Sequence, residues 1–226
     1  VPMANLGEAF TYVFSDRDWV SKFVFGALFL LLSLFLVGVP FVAGYFLEII
    51  RRVALDEQPY LPEWSNLGHL FGRGLTYVAV LFVYALPLLV LGCCAAAASI
   101  LAGAGRTDGN AVFGALSAVF SCLSLPLSVI YGALLPIVTI QYATTGSFGA
   151  AFNFDEMWEM VKANLGNYIA VALIAWAVSN LVAPLGLVLC GVGALATGFY
   201  ALTVTAYLYG LFYRASRRPP AAPVLA

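Results

Sequence analysis

The stretch Leu61-Pro-Glu-Trp-Ser-Asn-Leu-Gly-His-Leu-Phe-Gly-Arg-Gly74 decides how this chain is read. One apolar block precedes it and two follow, and it is the longest run that water and lipid would both accept. Pro62 and the three glycines are expected to stop a helix from running through it. Trp64, Leu67, Leu70 and Phe71 give it an apolar side. This combination predicts a segment lying in a membrane headgroup layer, with Trp64 as its aromatic anchor.

Composition supports lipid as the solvent. Apolar residues make up 63% of the chain and charged residues 9%, whereas about a quarter of a globular domain is charged. Uncharged runs longer than the ~18 residues that signal a membrane span occur several times. Ten basic residues against 11 acidic ones leave no concentrated basic face, which excludes nucleic acid as a partner. Cys93, Cys94, Cys122 and Cys190 lie in apolar runs without a Cys-x-x-Cys pair and read as small packing residues. The first residues lack the basic-then-apolar pattern of a cleavable signal, so the first span is expected to serve as the insertion signal and to be retained.

Upstream of the deciding stretch, residues 8 to 22 mix aromatics with charges. Ser15 is placed to cap a helix starting at Asp16, and Trp19 anchors this segment at the interface. From Phe23 to Ile50 only Glu48 is charged, and Gly38-Val39-Pro40 interrupts the run. The run reads either as one kinked span or as a hairpin of two short arms, roughly Trp19 to Val37 and Pro40 to Val53. Glu48 is spaced to pair with Arg51 and Arg52, one turn further on.

Downstream, Leu75 to Ala102 reads as a span containing Pro87. A polar turn follows at Gly103 to Asn110, and Ala111 to Tyr142 runs back without a charge. The facing ends of these two spans are rich in alanine, glycine and serine, which predicts close packing there. Residues 152 to 166 read as an amphipathic surface helix, with a capping box from Asn153 to Glu156 and Trp158 on its apolar side. Tyr168 to Tyr213 is uncharged and long enough for two spans, with a turn at Leu189 to Gly193. The domain is thus expected to occupy residues 1–213. A basic, then Pro/Ala-rich, disordered cytoplasmic tail is expected over 214–226.

One unit therefore recurs three times, an interfacial aromatic segment followed by an out-and-back pair. Trp19, Trp64 and Trp158 mark the three entries. Charge selects the hairpin reading of residues 23–53, because three hairpins put nine of the ten basic residues on one side and leave Arg106 on the other. One long first span would split them about six to four. The predicted fold is an all-α integral membrane protein of about six transmembrane helices, with both termini cytoplasmic and the cell membrane as its location.

Several short stretches carry a family likeness. Phe10-Thr-Tyr-Val-Phe-Ser-Asp-Arg-Asp-Trp19, Gly44-Tyr45 before Arg51-Arg52, Leu61-Pro-Glu-Trp64, Phe71-Gly-Arg-Gly74 and Phe148-Gly-Ala-Ala-Phe152 stand in this order. With them the chain resembles the prokaryotic membrane family catalogued as domain of unknown function 4013, over nearly its whole length to about Tyr213. The resemblance implies a bacterial or archaeal polytopic membrane protein. It implies no activity, and no catalytic or binding residue is carried over.

The residues themselves offer few chemical constellations. His69 stands alone, while a metal site needs three or four ligands, so no metal and no cofactor is expected. Glu48 is the carboxylate nearest the membrane interior, and a local ion pair with Arg51 and Arg52 is the simpler reading than a transport site. Gln141, Ser179 and Asn180 are the deep polar residues of the later spans and are expected to hydrogen-bond neighbouring helices. The nucleophile, zinc and phosphate-loop motifs of enzymes are missing. The expected function is a non-catalytic accessory or scaffold component that packs with lipid and with other membrane proteins or itself. A transporter or channel for a neutral or apolar small molecule is the alternative.

Overall fold

The computed structural model describes residues 7–104, 109–182, 186 and 192–217, whose regular structure is helical with no strand among them. A short helix α1 (Glu8–Thr11) runs into a 3-10 turn at Tyr12–Ser15. Then come α2 (Trp19–Ser33), α3 (Val39–Leu55), α4 (Leu67–Ala104) and α5 (Gly109–Thr145). After a second 3-10 turn at Gly149–Phe152 follow α6 (Phe154–Ala163), α7 (Leu165–Ala177) with a π turn at Val178–Val182, and α8 (Val192–Ser216). Among the described residues, four helices are long and apolar enough to cross a membrane, at Leu67–Gly103, Ala111–Thr145, Leu165–Val182 and Gly193–Ser216.

The chain divides into two compact units. One holds Val1–Val78 and Pro136–Ala226, the other Ala79–Leu135. In the first unit α3 is the central helix. Tyr45, Leu47, Ile49, Ile50 and Val53 are fully buried on it, and so are Phe199, Val204 and Leu208 on α8, which packs along α3. Pro40 stands in the first turn of α3, where its missing N–H would have had no helical partner. Asp56 ends the helix in the left-handed conformation, at φ 61°, and the Glu57 N–H donates to the Arg52 carbonyl at 2.8 Å.

Residues 23–53 form two helices, not one kinked span. The turn between them requires Gly38, since a Cβ there would strike the Phe29 carbonyl and the Ser33 nitrogen. Phe29 on α2 and Phe41 on α3 stack across the pair at 4.8 Å.

The second unit is a helix pair of a different kind. Phe82, Val90, Ile100, Val119, Leu125 and Val129 are all exposed on it. Ala98 is buried, and the Ser99 and Ser117 hydroxyls meet at 2.6 Å, within the alanine-rich end where close packing is expected.

Three local expectations need correction. The stretch 61–74 does not stop a helix. Only Leu61–Asn66 is a loop, and α4 passes straight through Gly68, Gly72 and Gly74. The penalty for glycine in a helix, about 1 kcal/mol each, is offset by the backbone approach that the last of them permits. Near the N-terminus, Ser15 does not cap a helix at Asp16, because α2 starts at Trp19 and the Asp16 carboxylate accepts the Asp18 N–H at 2.9 Å. In the third segment the capping box is not made. Asn153 instead donates from its side chain to the Glu156 carboxylate at 3.3 Å, and a break at Asn164 separates α6 from α7. The segment 152–166 is therefore not a single helix.

The expected turn at 103–110 and that at 189–193 lie largely outside the described residues, as does the chain beyond Arg217. α8 itself continues to Ser216, past the expected start of the tail.

Candidate functional site

The densest polar constellation is built where α3 meets the beginning of α4. A Cβ on Gly44 would fall on the Leu70 carbonyl, and one on Gly74 would fall on the Pro40 carbonyl and the Gly44 nitrogen. Backbone therefore touches backbone at this crossing, and only glycine permits that approach. The closeness lets the Arg73 side chain reach Glu48, 25 residues away in sequence, at 2.7 Å.

Glu48 is buried and receives three guanidinium groups. Its Oε1 accepts from Arg51 at 3.1 Å and Arg52 at 3.3 Å, and its Oε2 accepts from Arg73. The remaining donors are also engaged. Arg52 donates to the Pro59 carbonyl at 2.9 Å, Arg73 to the Ala143 carbonyl at 2.8 Å, and Arg51 to Glu57 at 3.5 Å. The Tyr142 hydroxyl donates to the Arg73 carbonyl at 3.2 Å. One carboxylate thus ties together α3, the loop after it, the start of α4 and the end of α5. Beside it opens a polar cleft of about 600 Å³ lined by Glu48, Arg52, Glu57, Glu63, Asn66 and His69.

A second set of contacts fixes the Leu61-Pro-Glu-Trp64 loop. The Lys22 ammonium is buried and pairs with Asp16 at 2.7 Å, while also donating to the Leu61 carbonyl at 3.0 Å. The Trp64 indole N–H donates to the Lys22 carbonyl at 3.0 Å, and its ring stacks between Tyr45 at 4.2 Å and Phe29 at 4.7 Å. Trp64 is therefore held inside the unit, half-buried between rings. Trp19 is half-buried against Phe14 and Phe23, and Trp158 is exposed, with the Lys162 ammonium over its ring at 5.1 Å.

The other polar residues singled out in the sequence lie apart from this cluster. Gln141 is fully buried and donates to Glu156 at 2.8 Å, and Arg217 approaches the same carboxylate at 3.1 Å. Asn180 donates to the Trp176 carbonyl of its own turn, and Ser179 lines an apolar cleft. Among the described residues, no three His, Cys, Asp or Glu side chains converge as a metal ion would need.

Near the N-terminus the Tyr12 hydroxyl donates to the Thr203 carbonyl at 2.9 Å, and its ring stacks on Tyr207 at 4.4 Å. Burial holds the Tyr12 phenol well above its ordinary pKa, and Tyr45 nearby adds to the effect. The Tyr60 phenol is also raised, first by burial and then by its hydrogen bond to Asp56. Neither group is poised to exchange a proton near neutrality.

The protein family described as "Protein of unknown function (DUF4013)" matches over residues 27–195. The chain belongs to that family. The DUF4013 match takes in the Gly44–Gly74 crossing and all four members of the Glu48 cluster, while Tyr12, Lys22 and the Tyr200–Tyr207 stretch of α8 fall outside it. Comparison with curated proteins gave no match, and comparison with solved structures gave none.

Sequence reasoning connected Glu48 to two arginines and missed the third. The signal was present in Phe71-Gly-Arg-Gly74, a cation between glycines, but its partner is set by the tertiary crossing. The Lys22–Asp16 pair was likewise missed, since both residues read only as part of the mixed charges of residues 8 to 22.

Proposed function

We propose that this protein is a multi-pass component of the cell membrane with a non-catalytic, accessory or scaffold role. In this reading six helical segments form three hairpins and both termini face the cytoplasm. Support for the orientation comes from the distribution of the ten basic residues, nine of which then share one side. The observation that carries the role is the second unit, whose large apolar side chains, among them Ile100, Val119 and Val129, point outward along the full helix pair. In the first unit, meanwhile, Glu48 is engaged by three guanidinium groups and the Gln141 amide N–H by Glu156. A unit with an exposed apolar surface, in a chain whose other unit is held by polar locks, suits a protein that presents surface to lipid and to neighbouring membrane proteins.

The test is photo-crosslinking in native membranes, with a crosslinker placed at Val119 or Val129. A discrete adduct of protein size supports the scaffold role; lipid adducts alone, at both positions, would overturn it.

A second reading rests on one specific observation, an apolar cleft of about 520 Å³ in the first unit lined by Leu30, Val42, Phe46, Tyr77, Ala201 and Leu202. Its size fits a small ligand. Uptake of a neutral solute by proteoliposomes, abolished by Ala201→Trp, would establish passage of an apolar or neutral molecule as the function instead.

A further inference from the structure

The turn between α2 and α3 is Leu34-Phe-Leu-Val-Gly38, with no polar side chain in it. Leu34, Phe35, Leu36 and Val37 are 75%, 74%, 78% and 60% exposed. A turn facing water ordinarily carries glycine, asparagine or aspartate, above all at a left-handed position. Here Leu36 itself takes that conformation, at φ 63°. The stretch of sequence between α4 and α5 has the opposite character, with Arg106 and Asp108 in it.

The backbone of the first turn meets part of its hydrogen bonding internally. The N–H groups of Leu34, Phe35, Leu36 and Gly38 donate to Leu31, Leu32, Ser33 and Leu32 carbonyls at 3.0–3.2 Å. The Ser33 hydroxyl turns back to the Phe29 carbonyl at 2.8 Å. Hydrocarbon offers no partner to a polar group, so these internal bonds lower the cost of placing the turn there.

The arms are also short. α2 has 15 residues and α3 has 17, roughly 22 and 25 Å at 1.5 Å per residue, against a hydrocarbon core of ~30 Å. Charge shortens the usable length further. Lys22 with Asp16 bounds one arm, and the Glu48 cluster, which opens into the polar cleft, bounds the other. The uncharged stretches Phe23–Ser33 and Val39–Leu47 measure roughly 16 and 14 Å, about the depth of one leaflet. By contrast, α4 from Leu75 to Ala104 measures roughly 45 Å.

From tip chemistry and arm length, with four of the turn's five N–H groups bonded internally, we infer that α2 and α3 form a re-entrant hairpin. It enters the bilayer from the face that carries Arg51 and Arg52, turns at Leu36 among the acyl chains, and leaves by the same face. The partner of the exposed tip is lipid hydrocarbon. The inference rests on the multi-pass reading above and changes it at one point, since only the second and third pairs of helices then cross. A re-entrant hairpin keeps Arg51 and Arg52 on the side that the charge distribution requires.

The experiment uses the full chain with its four native cysteines replaced by alanine, and single cysteines introduced by Leu36→Cys, Val37→Cys and Thr107→Cys. An impermeant maleimide is applied to each face of membrane vesicles, and bimane at position 36 or 37 is then exposed to lipids brominated at defined depths. Thr107→Cys should label from outside. Leu36→Cys and Val37→Cys should label from neither face, should label once detergent is added, and should give bimane quenched most by bromine near the chain ends. Labelling of position 36 or 37 from outside would show a crossing hairpin and overturn the inference. Labelling from the cytoplasmic face would show that the tip is not in the membrane. Protection without quenching would show protein, such as a second copy, over the tip, and would overturn lipid as its partner. Failure of Thr107→Cys to label from outside would overturn the multi-pass reading itself, independently of the hairpin. Two tip positions guard against one variant failing to fold.

Discussion

The two compact units solve the same packing problem in opposite ways. The first is knitted by directional contacts, with three arginines on Glu48, a lysine shared between Asp16 and a backbone carbonyl, and Trp64 stacked between two rings. The second turns leucine, isoleucine, valine and phenylalanine outward and joins its helices at their alanine-rich end by a serine pair. In water the second arrangement would fail. In lipid there is no hydrophobic drive between helices, so small-residue packing and a few hydrogen bonds suffice. The difference shows that one chain can hold a core that needs specific locks beside a pair that needs only a snug apolar contact. It also implies that the two should respond very differently to substitution.

The largest effect should come from Gly74→Val. The new side chain would fall on the Pro40 carbonyl, which is backbone and cannot move aside. A loss of about 3 kcal/mol or more is expected, seen as disappearance of a monodisperse peak in detergent chromatography. Gly92→Val, in the second unit where a Cβ would meet open space, should leave the peak intact. If both variants behave alike, the contrast between the units is wrong.

Next is Glu48→Gln, which leaves three guanidinium groups facing one another. Breaking a buried pair by removing one partner costs about 3–5 kcal/mol. Because Arg51 and Arg52 are partly exposed, about 2 kcal/mol is the better expectation here. Thermal unfolding of the purified protein checks it, and no change in Tm would show that the cluster is incidental. Arg51→Gln removes a cation whose side chain is 35% exposed and should cost under about 1 kcal/mol.

In the second unit, Ser99→Ala should cost about 0.6 kcal/mol, the average for a hydrogen bond between membrane helices. A larger loss, measured by the same melting experiment, would mean that this pair too depends on a polar lock. Smallest is Trp158→Ala, which removes an exposed ring and should move stability by no more than about 0.5 kcal/mol.

What could be read from sequence followed how local each cause is. Gly38-Val39-Pro40 marks the break between α2 and α3 because a glycine and a proline act on their own neighbours. Spacing of three and four carries Glu48 to Arg51 and Arg52, whereas Arg73 arrives only through the Gly44–Gly74 crossing, which no helical period encodes. The stretch 61–74 misled for the same reason. Its glycines read as breakers, while their role is set by what lies across from them. Trp64 likewise read as a lipid anchor because tryptophan suits a headgroup layer and a cluster of rings equally well. The apolar blocks foretold the long helices of the second unit, because a long uncharged run acts on its own residues and needs no tertiary partner to be read.

The N-terminal segment is closed by the other end of the chain. Tyr12 reaches Thr203, Tyr200 reaches the Phe10 carbonyl, and Tyr207 reaches Glu8, across 191, 190 and 199 residues. These bonds set an order in time. At a synthesis rate of roughly 5–20 residues per second, Tyr12 is made on the order of ten to forty seconds before its partner exists. The helix pair of the second unit can assemble long before then, while Tyr12 still lacks its stacking partner Tyr207. Docking of that segment therefore follows the synthesis of α8, and a chain that lacks α8 has no means of completing it.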